Sequence, residues 1–139
     1  MQYVAALAFL LIFTGYAEAR HHHQHVQVAY ESVGEQVVPN PAGCPRIAFC
    51  GCGVSVKVYG HPVKDLFRAA AWLRFPRAHA APGNVVVVGH HHVAYIMSVD
   101  ANGKATLYDP NSGQHKTRVH VRNIAGHVVV SPSGHFASR

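Results

Sequence analysis

The sequence predicts an α+β domain: helices first, then an antiparallel β-sheet of four to six strands. Three observations carry that expectation. A helix pattern from Pro62 to Phe75 precedes every strong strand signal. Val85–Val88 and His91–Val99 are rich in Val, Ile and Tyr, and Lys104–Asp109 returns across Asp100-Ala101-Asn102-Gly103. The Asn-Gly step in that tetrapeptide is the strongest short hairpin signal. His115–Val121 and His127–Val130 then read as two further strands. Helix first and antiparallel strands second is an α+β layout, here without internal repeats.

In chain order, Tyr3 to Phe13 is an apolar run followed by small residues at Ala17 and Ala19 and by Arg20. This fits a secretory signal over residues 1–19, cut after Ala19. The run is short of the roughly 20 apolar residues that a membrane span requires, so no stable span is expected after cleavage. About 120 residues remain, enough for one domain with a modest core. Residues 20–43 read as an extended N-terminal segment, and 44–139 as the domain. Within that segment Val26, Val28 and Tyr30 alternate like an edge strand, and Pro39, Pro41, Gly43 and Pro45 punctuate a loop. Arg20 to His25, RHHHQH, reads as a solvated tail. Cleavage after Ala19 would also make His22 the third residue, completing a square-planar nitrogen set for Cu(II) or Ni(II).

From Gly43 to Gly60, the alternation of Val54, Val56 and Val58 between Gly51, Gly53 and Gly60 predicts a strand. Pro62 suits the first position of the following helix, and Asp65 complements its dipole in the first turn. Leu66, Ala70 and Leu73 share one stripe, Trp72 and Phe67 read as core, and Pro76 ends the helix. Arg77–Asn84 is a loop in which Pro82-Gly83 suits a type II turn. Ser133–Arg139 reads as a frayed tail.

The formal net charge of +6 rises by one if Glu18 leaves with the signal. A basic secreted or periplasmic protein is drawn to anionic polymers, peptidoglycan among them. No basic stripe interleaved with aromatics argues for specific nucleic-acid recognition. A monomer is expected. The 13 histidines add positive charge below about pH 6.5. Of these, His61, His79, His115, His120, His127 and His135 individually read as ordinary surface or satisfied residues.

Chemistry concentrates on the hairpin. Closing it on Ala101-Asn102 or on Asn102-Gly103 pairs even positions with odd ones. His92 then lies opposite Asn111 or one pair away, with Asp109 on the same face. An imidazole, a carboxylate and an amide on one face suit a base and its orienting partners, but they lack a nucleophile. Cys44, Cys50 and Cys52 are three, an odd number for an oxidising compartment. Cys44 can pair with Cys50 or Cys52, which leaves one thiol. That thiol would be activated if it opened a helix, where free amides stabilise a thiolate. Cys50 and Cys52 would lie about 200° apart on such a helix, so only one can face His92.

Several short motifs then fall into a familiar order. Ala48-Phe49-Cys50-Gly51 is similar to an Ala-aromatic-Cys-Gly step, and Pro82-Gly83-Asn84-Val85-Val86 to a Pro-Gly-Asp turn entering a strand. His92-Val93-Ala94 matches a His-Val-Ala/Gly signature, and Asp109-Pro110-Asn111 resembles a Glu-x-Asn pair. Ile124-Ala125-Gly126-His127 is similar to a Ser-Gly-Tyr step. From Cys44 to Pro132 this order resembles the CHAP and NlpC-type papain-like cysteine peptidases and amidases of bacteria. The resemblance implies a papain-like fold in which the cysteine opens a helix packed on the sheet. It also implies Cys50 as nucleophile ahead of Cys52, His92 as base, and Asn111 or Asp109 orienting the ring, with no cofactor. The activity implied is amide hydrolysis, with peptidoglycan stem peptides as the leading substrate. Two other classes compete. One is a catalytically inactive papain-like module that binds cell wall. The other is a metal-binding protein using His90 and His92 beside Cys50 and Cys52 for zinc or copper.

Overall fold

A computed structural model describes residues 34–133. The segment expected to be a secretory signal, the RHHHQH stretch and the Val26–Tyr30 alternation lie outside the described residues, as does nearly all of the C-terminal tail. The element order is β1 (Gln36–Val38), α1 (Cys50–Tyr59), two 3-10 turns (Lys64–Leu66 and Ala69–Arg74), β2 (Val85–Val88), β3 (His92–Val99), β4 (Lys104–Asp109), β5 (Thr117–Asn123) and β6 (Val128–Val130). The six strands form one antiparallel sheet in the order β1-β5-β4-β3-β2-β6. The architecture is α+β. Among the described residues no helix is long and apolar enough to cross a membrane.

The sheet buries both faces. Val85, Val87, Val93 and Val130 point toward α1 and the 3-10 turns, where they meet Cys50, Val54, Leu66, Trp72 and Phe75. Val86, Ala94, Ile96, Ala105, Leu107 and Ile124 form a second cluster on the opposite face. Strand residues of opposite parity thus feed two cores, as the pleat requires.

Two sequence expectations are corrected. The Cys50–Tyr59 segment is a helix, as the resemblance implied, and not the strand that its alternation predicted. Its first six residues are all buried, so it has little solvent face, and periodicity cannot separate such a helix from a strand. Its glycines serve close approach. A Cβ on Gly51 would lie 2.2 Å from the Leu66 carbonyl oxygen, and one on Gly53 would lie 2.4 Å from Pro110 Cβ. The second correction concerns Pro62–Phe75, which is not one α-helix. Arg68 is extended, with ψ 131°, and splits the segment into the two 3-10 turns. The Leu66 carbonyl, which a continuous helix would bond to the amide four residues on, instead accepts the buried indole N–H of Trp72 at 2.9 Å.

The hairpin loop also differs from the two-residue closure expected. Asp100 N–H donates to the Lys104 carbonyl at 2.9 Å, leaving Ala101, Asn102 and Gly103 as a three-residue loop with Gly103 at φ +77°. Near the loop, Val99 pairs with Ala105 and Ser98 with Thr106, so like parities face each other. A bulge at Met97 shifts the register, and beyond it Ile96 pairs with Leu107 and Tyr95 with Tyr108. That bulge puts Asp109 on the face of His92. Without it, Asp109 would share the face of Tyr95.

Candidate active site

Cys50 opens α1, and no side chain caps the helix there. The first-turn amides are therefore free of a competing acceptor from the cap position. Immediately upstream, Ala48 holds a positive φ of 51° and Phe49 is buried, which turns the chain sharply into the helix. Cys44 and Cys52 form a disulfide, leaving Cys50 as the free thiol. The alternative left open by the cysteine count is thereby closed: Cys52 faces Cys44, and Cys50 faces the sheet.

The Cys50 thiol lies against the start of β3, with Sγ 3.8 Å from the His91 carbonyl oxygen. The His92 side chain and the backbone amides of Val93 and Gly51 also lie near enough to the thiol to favour its ionised form. His92 gives Nε2 to Asp109 Oδ1 at 2.6 Å, which leaves Nδ1 for the thiol. Asp109 Oδ2 receives His120 Nε2 at 2.8 Å. Cys50, His92, Asp109 and His120 thus form a continuous chain across α1, β3, β4 and β5.

Electrostatics follow this geometry. Burial opposes ionisation of Cys50, but the hydrogen bond and charge of His92, with the Val93 and Gly51 amides, hold the thiol below its ordinary 9.0. Burial would also lower His92, yet hydrogen bonds and charge from Asp109 and Cys50 push it from 6.5 to about 10. Asp109 is buried too, but His92, His120 and Ser112 keep its carboxyl below the ordinary range. Each group favours the ionised form of its neighbour, so thiolate, imidazolium and carboxylate stabilise one another.

The structure does not bring Asn111 to His92. Asn111 sits at φ +60° just past β4, and its side-chain oxygen contacts His115 Nδ1 at 3.3 Å. Of the two orienting candidates, Asp109 alone touches the ring. His90, His91 and Cys52 do not assemble a metal site: Cys52 is in the disulfide, and His90 and His91 are exposed in the turn before β3. Among the described residues no group of three or more His, Cys, Asp or Glu side chains is arranged to hold a metal ion.

His120 was not singled out by sequence reasoning. Its side chain faces Asp109 because Leu107 pairs with His120 and Asp109 with Arg118, placing His120 diagonally across the ladder. The strand alternation of Thr117–Asn123 was a usable signal, but the intervening loop hid the register. A cleft of about 210 Å³ opens beside His92 and Asp109, with Val86, Ala94 and Leu107 in its wall and Arg122 and His127 among its polar lining.

No family profile, curated protein or solved structure matches the chain, so the meaning of the site rests on its own geometry.

Proposed function

We propose that this protein is a papain-like cysteine hydrolase acting on amide bonds, with peptidoglycan stem peptides as the leading substrate. The observation that carries the reading is the Cys50 thiol at the amino end of α1, partnered with a His92 ring whose Nε2 is fixed by Asp109 at 2.6 Å. A nucleophile, a base and a group that orients the base are the parts that thiol acyl transfer needs.

The mechanism follows from these positions. His92 holds the proton given up by Cys50, and the thiolate adds to the scissile carbonyl carbon. The Cys50 backbone N–H is placed to donate to the developing oxyanion. As the tetrahedral intermediate collapses, the C–N bond breaks and His92 protonates the leaving amine. Water, deprotonated by His92, then adds to the thioester, and the carboxylic acid leaves as Cys50 regains its proton. Asp109 stays ionised throughout and keeps the ring aligned.

The charge of +6 supports an anionic polymer as substrate. The Cys44–Cys52 disulfide supports an oxidising compartment, hence secretion or the periplasm. One observation favours the second reading, a wall-binding module without turnover: Cys50 is only 5% exposed. Incubating the oxidised protein with purified peptidoglycan and defined stem peptides separates the two. Mass spectrometry should find new amine and carboxyl ends, and Cys50→Ser should abolish them. Binding to peptidoglycan with no new ends would favour the module, and full turnover by Cys50→Ser would sink the hydrolase reading.

A further inference from the structure

Asp109 is held from two neighbouring strands, β3 and β5, with Ser112 acting on it as well. Its side chain is 9% exposed, and a carboxylate so buried needs donors on its oxygens. His92 Nε2 reaches Oδ1 at 2.6 Å from β3, and His120 Nε2 reaches Oδ2 at 2.8 Å from β5. We propose that His120 is a positioning residue of this site: by donating to Oδ2 it fixes the Asp109 carboxylate so that Oδ1 stays on His92.

The need for a second donor follows from the side chain itself. The terminal torsion of Asp is broad, so one hydrogen bond to Oδ1 leaves the carboxylate plane free to swing. A second bond, from the neighbouring strand, removes that freedom. Because an ionised carboxylate only accepts, His120 must carry a hydrogen on Nε2.

Its other ring nitrogen is equally informative. His120 is 3% exposed, and Nδ1 is buried without a hydrogen-bond partner among the described residues. The atom it faces is Glu35 Oε2, at 3.8 Å. Arg118 Nε donates to Glu35 Oε1 at 2.7 Å, and Arg122 Nη2 lies 3.9 Å from Oε2, so the carboxylate is pinned in place. The charged groups facing His120 are Asp109 from β4 and Glu35 from the segment before β1. Beyond these lie His92 from β3, reached through Asp109, and Arg118 and Arg122 of its own strand, reached through Glu35.

The proposal rests on the reading of Cys50 and His92 as the reacting pair, and the test separates the two. The ultraviolet absorbance of the Cys50 thiolate is followed against pH in the full oxidised chain, alongside thermal melting. His120→Ala should move the acid limb, where the thiolate is lost, upward by about one pH unit. Asp109, short of a donor, takes up a proton sooner and releases His92. His120→Asn, polar but too short to reach Oδ2, should move the limb in the same direction even if the Ala variant folds poorly. His120→Gln carries an amide donor near the position of Nε2 and should restore the wild-type limb to within a few tenths of a unit. Limbs of the Ala and Asn variants that superimpose on wild type, with only a lowered melting temperature, would overturn the proposal and leave His120 a core residue. A wild-type protein with no thiolate below the ordinary thiol range would overturn the underlying pair, before any His120 variant is compared.

Discussion

Replacing Gly51 by Ala tests whether the site depends on the tight seat of α1. In an unobstructed helix the change would add at most about 1 kcal/mol of stability. Here the new Cβ would stand 2.2 Å from the Leu66 carbonyl oxygen, 2.4 Å from that of Phe67 and 2.7 Å from the Phe67 carbonyl carbon. Side-chain Cβ atoms essentially never approach a neighbour within 3.0 Å, so Leu66 must retreat by at least about 0.8 Å. These atoms are backbone, and Leu66 is also tied to the Trp72 indole, so the adjustment cannot be made by a side-chain rotation. Overpacking of this kind costs about 1–3 kcal/mol. With backbone on both contacts the upper value applies, leaving a net loss of about 2 kcal/mol. In urea that corresponds to a midpoint lower by roughly 1–2 M for a domain of this size. The Gly51 amide also supports the Cys50 thiolate, so thiol reactivity at neutral pH should fall with stability. A Gly51→Ala protein as stable as wild type, or more so, would refute the packing account of this glycine.

Three further predictions concern the groups around Cys50. Removing the disulfide as Cys44→Ala with Cys52→Ala opens a loop of sequence separation 8. It should cost about 2.5 kcal/mol by loop entropy, read as a lower urea midpoint; an unchanged midpoint would contradict it. Asp109→Asn removes the charge that holds His92, so Cys50 alkylation at neutral pH should fall by about tenfold or more. Asn111→Gly, which tolerates the positive φ and removes the side-chain oxygen that meets His115, should leave the rate within about twofold, a bound set by the ordinary size of surface effects. The reverse pattern would restore Asn111 as the orienting group.

Legibility in the sequence varied with the physical source of each element. The hairpin strands were readable because Val, Ile and Tyr signal a pleated surface and Asn-Gly signals its turn. The parity argument also placed His92 and Asp109 on one face, though for an incomplete reason. The true loop has three residues, and only the bulge at Met97 restores the register. A bulge beside an exposed methionine leaves no compositional mark. The helix at Cys50 was hidden from periodicity because its glycines serve contact with Leu66, Phe67 and Pro110 rather than helix propensity, and its first six residues are all buried. His120 was hidden because its role depends on the pairing of β4 with β5 across a loop of irregular backbone, where Asn111, Gln114 and His115 all hold positive φ.

The central claim is that Cys50 and His92 form an ionised pair, and its pH dependence has a definite sign. His92 binds its proton more tightly in the folded protein, so its contribution is full below pH 6.5 and is lost as pH rises through about 10. Cys50 is shifted the other way: its contribution is present above the ordinary 9.0 and is lost as pH falls through its lowered folded value. The pair is therefore ionised between those two folded values. The most direct measurement is the rate of Cys50 alkylation by iodoacetamide across pH, mapped by mass spectrometry in wild type and in His92→Ala. The account predicts fast labelling at neutral pH, well below 9.0, and a slowed reaction whose midpoint moves up toward the ordinary thiol range in His92→Ala. Labelling that rises only near or above 9.0, and equally in both proteins, would contradict it.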